Sequence, residues 1–309
     1  MTSQRRRHTA ACLLAMWGTS TLSSPGMAAE PVIDRKLLDN PVPVYSPGAF
    51  VQGLLRQHHV PVARQWATQA RQLEDRIHQL CLAPPHRESV ALQAARQAWT
   101  QTTLKWVQLS AVSIGPLIER RTARHIDFQP VRPALIDKAV KAPPADVRAM
   151  DTVGSPAKGL PALEWLLWQQ PVQAHHPACH YAELVAADLT IEATAVQHAF
   201  ETLARQDWLD REQDASALMG EVINQWLGAI EQLRWREIGK PLASTPAGQL
   251  PAFSRSASGQ SPVGFWLAQW HSIRTLAASA SDTHPTQDGT QLIAVNVYLM
   301  GRGHYLAAQ

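Results

Sequence analysis

The sequence predicts an all-α protein of antiparallel helices joined by proline-rich connections. Three observations carry that expectation. Apolar residues recur at steps of three and four over long segments, prolines and glycines fall between those segments, and no stretch alternates β-branched residues as a strand would. The nearest approach to a strand is "LIAVNVYLM" at 292–300.

Residues 1–29 stand apart from the fold. They open with Arg5, Arg6 and Arg7, continue with an apolar run from Ala10 to Trp17, and end on the small residues Ala28 and Ala29. That is the layout of a secretory signal peptide, and the run is too short to span a membrane. Cys12 begins the run rather than ending it, which argues against lipid attachment, and "RRRHTA" lacks the continuation of a twin-arginine signal. The mature chain is therefore expected in the periplasm. The full sequence has 28 Lys and Arg against 25 Asp and Glu, and losing three arginines leaves 25 of each sign. An isoelectric point of 8.9 for the whole sequence then implies no basic surface, so no nucleic-acid partner is expected. With no second long apolar segment, no transmembrane segment is expected in the mature chain either.

Residues 30–46, "EPVIDRKLLDNPVPVYS", carry three prolines and no period, and read as an extended lead-in. Ser46-Pro47 is an N-cap followed by proline at the first helical position. From Pro61, the residues Val62, Trp66, Ala70, Leu73, Ile77 and Leu80 mark one face of a helix of about five turns, stopped by Pro84-Pro85. The adjacent His58-His59 reads as a solvated helix end. A second helix runs through Val90, Ala94, Trp99 and Val107 to Gly115-Pro116. Prolines at 130, 133, 143, 144 and 156 leave only short helical pieces in the middle of the chain. Helical patterns resume at 159–168, 178–205 and 214–238, the last ending at Gly239 and Pro241, and again after Ser261-Pro262 to about Ala278. The eleven tryptophans, Trp66, Trp99, Trp106 and Trp226 among them, read as helix packing.

Cys81 and Cys179 remain after cleavage, and in an oxidising compartment a disulfide is the simplest expectation. Two buried free thiols are the alternative. Glu164 raises the sharpest question, because "KGLPALEWLLW" sets one carboxylate in an apolar run, and burying a charge is costly unless it is paired. Either it caps or salt-bridges within a helix end, or it lines a polar cavity as hydrogen-bond anchor or metal ligand. Lys158, Asp127, Arg132 and Asp151 are near in sequence as compensating groups. A second candidate is "HHPACHYAE", where His176, His180 and Glu183 would share one face of a helix at a spacing suited to a divalent metal. Walker, H-E-x-x-H, G-x-S-x-G and dinucleotide glycine patterns are absent from the sequence.

The segment "KGLPALEWLLW" resembles the signature of the imelysin-like family of exported bacterial proteins. "AWTQTTLKW", "HIDFQPVRP", "IGKPLA" and "LPAFSRSASG" accompany it in order, so that the resemblance covers about residues 48–280. It implies two related helical-bundle halves, 47–172 and 173–309, meeting at a site. Members are tied to iron uptake, and some carry a peptidase name. The family motif, glycine, any residue, histidine, two residues, glutamate, maps onto Gly159 to Glu164 with Pro161 at the histidine position. Proline can neither ligate a metal nor carry a proton, so a histidine-based mechanism lacks its imidazole here.

The expectation is a non-enzymatic periplasmic binding or accessory protein associated with metal, chiefly iron, acquisition. Asp127, Arg132, Lys158, Gly159, Glu164, Arg255 and Ser256 would line the inter-bundle pocket, which would take a small ligand or a metal ion. The alternatives are a metal-dependent peptidase, holding iron or another divalent metal at Glu164 or at His176, His180 and Glu183, and a structural protein that binds an envelope partner. Gly301 and Gly303 interrupt the last segment, which is expected to close the second half poorly.

Overall fold

The computed structural model describes residues 42–247, 249, 251, 253, 255, 258, 261–279 and 283–308. Residues 1–29, expected to be a signal peptide, and most of the expected lead-in lie outside these residues, as does Ser256. Among the described residues every regular element is helical.

The first helix, α1 (Pro47–Leu54), starts as the Ser46-Pro47 pair requires, with the Ser46 hydroxyl accepting the Ala49 N–H at 3.1 Å. It does not stop before Pro61. A π-helical turn over Leu55–His59 carries it into α2 (Val60–Cys81), giving one rod. Proline lacks the N–H for the carbonyl four residues back, and its ring collides with that carbonyl in regular α geometry. A widened turn relieves both problems. The same device recurs: π turns over Trp165–Gln169 and Gln232–Gly239 end two residues before Pro171 and Pro241. The carbonyl four residues before Pro171, that of Leu167, accepts instead from the Arg96 Nε at 2.9 Å. Gly239 and Pro241 therefore do not end the helix as expected from sequence.

The apolar stripe of α2 (Ala63, Trp66, Ala70, Leu73, Ile77, Leu80) is buried throughout. It packs between α3 (Glu88–Ser110), which returns antiparallel after a short connection, and a 28-residue helix further along the chain. Four short helices come between: α4 (Pro116–Glu119), α5 (Thr122–Ile126), α6 (Pro133–Lys141) and α7 (Gly159–Glu164). The long helix itself is α8 (Pro177–Ala204). Cys81 at the end of α2 and Cys179 at the start of α8 form a disulfide. Beyond it, α9 (Glu212–Glu231) packs on α1, the π turn leads into α10 (Lys240–Ser244), and α11 (Val263–Ala277) packs on α3. One apolar cluster runs through all of these helices except the four-turnless α10, crossing residue 172 without a break.

"LIAVNVYLM" supplies a seven-residue helix, α12 (Val295–Gly301), rather than a strand. The segment leading to it straps onto the first helix. Tyr45 Oη donates to the Pro285 carbonyl at 2.8 Å, Gln52 Nε2 to that of Asp288 at 2.9 Å and Gln57 Nε2 to that of Thr290 at 2.8 Å. Gly53 allows the closest approach, since a Cβ there would lie 2.1 Å from the Gln291 carbonyl oxygen.

His58 and His59 are a correction to the sequence reading. The α1–α2 rod continues past them, so they are not a helix end, and both are buried, His59 completely. Burial drives His58 down to about 3 and His59 to about 4. His59 Nε2 lies 3.3 Å from the Val112 carbonyl, and its ring packs on Phe200.

Candidate functional site

Gly159 opens the helix that carries Glu164, with φ at +74°, and an added Cβ would lie 2.2 Å from the Ile126 carbonyl oxygen. This contact brings the end of α5, and hence Asp127, against the start of α7. Glu164 is 4% exposed and accepts the Ser258 backbone N–H at 2.8 Å. Burial raises its pKa, and the Ser258 bonds and the nearby Arg255 guanidinium offset that only in part.

Asp127 and Arg255 form an ion pair through Oδ2 and Nη2, and the Trp106 indole also donates to Asp127 Oδ2 at 2.7 Å. The other atoms of the pair, Asp127 Oδ1 and Arg255 Nε, are buried without a hydrogen-bond partner. Arg255 also has a left-handed backbone, φ +60°. Beside the pair is a cavity of about 170 Å³, lined in part by Trp106, Ser113, Asp127, Arg236, Glu237, Arg255 and Gln269. Five separate stretches supply it: the end of α3 with Ser113, α5 and the α5–α6 connection, the π turn at 232–239, Arg255, and Gln269 of α11.

The remaining expected residues go elsewhere. Lys158 does not compensate Glu164. Its Nζ lies 3.4 Å from Asp188 Oδ2 on α8 and donates to the Met150 carbonyl at 3.1 Å. His125 Nε2 meets the same carboxylate oxygen at 2.9 Å. Burial alone would raise Asp188, but the His125 bond and the two cations outweigh it and hold the carboxyl below its ordinary value. One turn on, Glu192 takes a two-point contact from Arg120 at 2.6 and 3.2 Å and the Thr122 hydroxyl at 2.7 Å. Arg132 is exposed ahead of α6 and is not among the residues lining the cavity.

The proposed His176, His180 and Glu183 set is not assembled. Pro177 starts α8, so His176 lies outside the helix and caps it, accepting the Ala178 N–H at 3.2 Å. Glu183 pairs with His78 at 2.7 Å, and His180 is exposed. Among the described residues no group of three His, Cys, Asp or Glu side chains is placed to hold a metal ion. The groups that meet Glu164 Oε1 and Asp127 Oδ2 are N–H donors and a guanidinium, a donor set that does not fit a resident cation.

Arg236, Glu237 and Gln269 were not singled out by sequence reading. "REIGKPLA" was legible as a recurring segment, but a strict helical period cannot say which residues a π turn will turn inward. Asp188 and Glu192 were equally hidden, as two acids in an otherwise apolar helix pattern.

The family model described as Imelysin matches residues 59–284. No functionally curated protein matches the chain. Among solved structures, an imelysin-like protein from Psychrobacter arcticum is similar at 17% identity and a TM-score of 0.60, over 74% of this chain and 73% of that one. A protein named as an iron-regulated protein A precursor, from Parabacteroides distasonis, is similar at 12% identity and a TM-score of 0.59, over 82% of both chains. At these identities the likeness is one of fold.

Proposed function

The chain belongs to the imelysin family, and from that premise we propose that it is an exported, non-enzymatic binding protein that serves iron acquisition as an accessory. The cavity beside Asp127 and Arg255 is its ligand site. One observation carries this reading: a buried ion pair at a polar cavity keeps one acceptor, Asp127 Oδ1, and one donor, Arg255 Nε, without partners. Buried polar atoms are nearly always satisfied, so an ion pair that leaves two of them partnerless beside a polar cavity calls for an explanation, and a bound molecule at the cavity supplies one. The family's motif survives at Gly159 and Glu164, while Pro161 removes the histidine that a metal-dependent peptidase of this type would use. The iron-regulated name of one structural neighbour supports the physiological setting. Since the carboxylates here do not fit a bare cation, the link to iron runs through a small polar ligand or a protein partner.

The test is calorimetry on purified mature protein. Iron salts alone should give no saturable heat, and casein should not be cleaved above background with or without divalent metal. Chelator-sensitive cleavage that vanishes in Glu164→Ala would instead establish the peptidase.

A further inference from the structure

We infer that the cavity selects a small zwitterion of the amino-acid class, with the ammonium on Glu237 and the carboxylate on Arg236. This rests on the proposal that the cavity is a ligand site. Glu237 and Gln269 are each 8% exposed and line the cavity, and neither forms a hydrogen bond or ion pair with any described residue. Their polar atoms are not among the sealed, partnerless ones, so a ligand in the cavity they line can reach them. A carboxylate buried to this degree without a donor is costly to maintain, and an ammonium would satisfy it. Arg236, next in the chain, is exposed at the same cavity and carries no carboxylate partner among the described residues. A guanidinium in that state suits a two-point bond to a ligand carboxylate.

The two charges border one cavity because both sit in the π turn at 232–239. Widened turns of this kind are frequent at functional sites. Composition narrows the ligand further. Two guanidiniums, Arg236 and Arg255, oppose a simple cation, and two carboxylates, Asp127 and Glu237, oppose a simple anion. A volume of about 170 Å³ falls below the roughly 300–1,000 Å³ of sites for drug-sized molecules. Gln269, which both donates and accepts, adds a neutral contact.

The experiment is a titration of mature protein followed by NMR of the Trp106 indole N–H, with glycine, L-alanine, L-serine and L-glutamine, and with propionate and propylamine as half-ligands. At least one amino acid should bind tenfold or more tighter than either half-ligand, and Glu237→Gln and Arg236→Gln should each erase that advantage. Both substitutions preserve size or lie at the surface, and circular dichroism checks that the variants fold. Propionate binding as tightly as the amino acids, with Glu237→Gln silent, would overturn the zwitterion while keeping the cavity as a ligand site. No shift of the Trp106 signal with any probe, together with saturable binding of iron salts that neither substitution changes, would overturn both readings.

Discussion

The segment from Arg120 to Asp127 serves two groups of buried acids. Toward α8, Asp188 takes Lys158 and His125 through Oδ2, Glu192 takes Arg120 and Thr122, and no oxygen of either acid is sealed without a partner. At the cavity, the Asp127–Arg255 pair leaves atoms without partners, and Glu237 has none at all among the described residues. Burial is similar in the two places, so burial alone does not distinguish a structural acid from a binding one. Completeness of the hydrogen bonding does. The satisfied group holds α5 and α7 against α8, and the unsatisfied one lies at the proposed ligand cavity.

Breaking the satisfied group should have the largest effect. Lys158 and Asp188 side chains are 6% and 8% exposed, and removing one member of a buried pair typically costs ~3–5 kcal/mol. Lys158→Ala should lose stability on that scale in urea unfolding at pH 7, with part regained on adding Asp188→Asn. A loss below about 1 kcal/mol would mean that the seam is not held by charge.

Acid sharpens the comparison, because His58 and His59 are buried titratable groups of a third kind. Their folded pKa values, about 3 and about 4, lie below the ordinary 6.5. Their contribution is therefore complete above pH 6.5 and is lost as pH falls toward the folded values, by at most about 1.4 kcal/mol per pH unit for each. Melting temperature measured from pH 8 to pH 4 should fall steeply below 6.5, and less steeply in His58→Gln. Asp188, held low, adds loss of the same sign at still lower pH.

Glu164 has the opposite sign. Its raised pKa means that the fold favours the protonated form, a contribution present below the unfolded value and lost as pH rises through the folded one. Glu164→Gln keeps an acceptor for the Ser258 N–H, so at pH 7 it should be neutral or stabilising by up to ~1 kcal/mol. Destabilisation beyond about 2 kcal/mol would assign Glu164 to the structural group. At the cavity itself, Glu237→Gln removes an unpaired buried charge and should raise unfolding free energy by up to ~1 kcal/mol at pH 7, in the opposite direction to Lys158→Ala.

Much of this molecule could be read in advance, and what could not has identifiable causes. The stripe of α2 follows a regular period and the Ser46 cap forms as its sequence suggests, whereas in α3 Trp99 and Val107 are buried but Val90, in the first turn, is exposed. Glu164 was recognisable because a carboxylate in "LEWLLW" is locally anomalous. Its neighbours were not, since Ser258 and Arg255 lie some 90 residues away. Lys158 was assigned to the nearer acid, although Asp188, on another helix, takes it. The α1–α2 rod and the helix through Gly239 were missed because a proline reads as a stop unless the turn before it widens.

The strap from Pro285 to Thr290 across α1 also orders events in time. The first helix made is finished only by contacts from the last thirty residues of the chain, as Tyr45, Gln52 and Gln57 wait for backbone carbonyls more than 230 positions downstream. Domains usually fold from the N-terminus as synthesis proceeds, and long-range closures of this kind slow folding. Here the amino-terminal rod stays incomplete until residues 285–290 have been made and have folded back onto it.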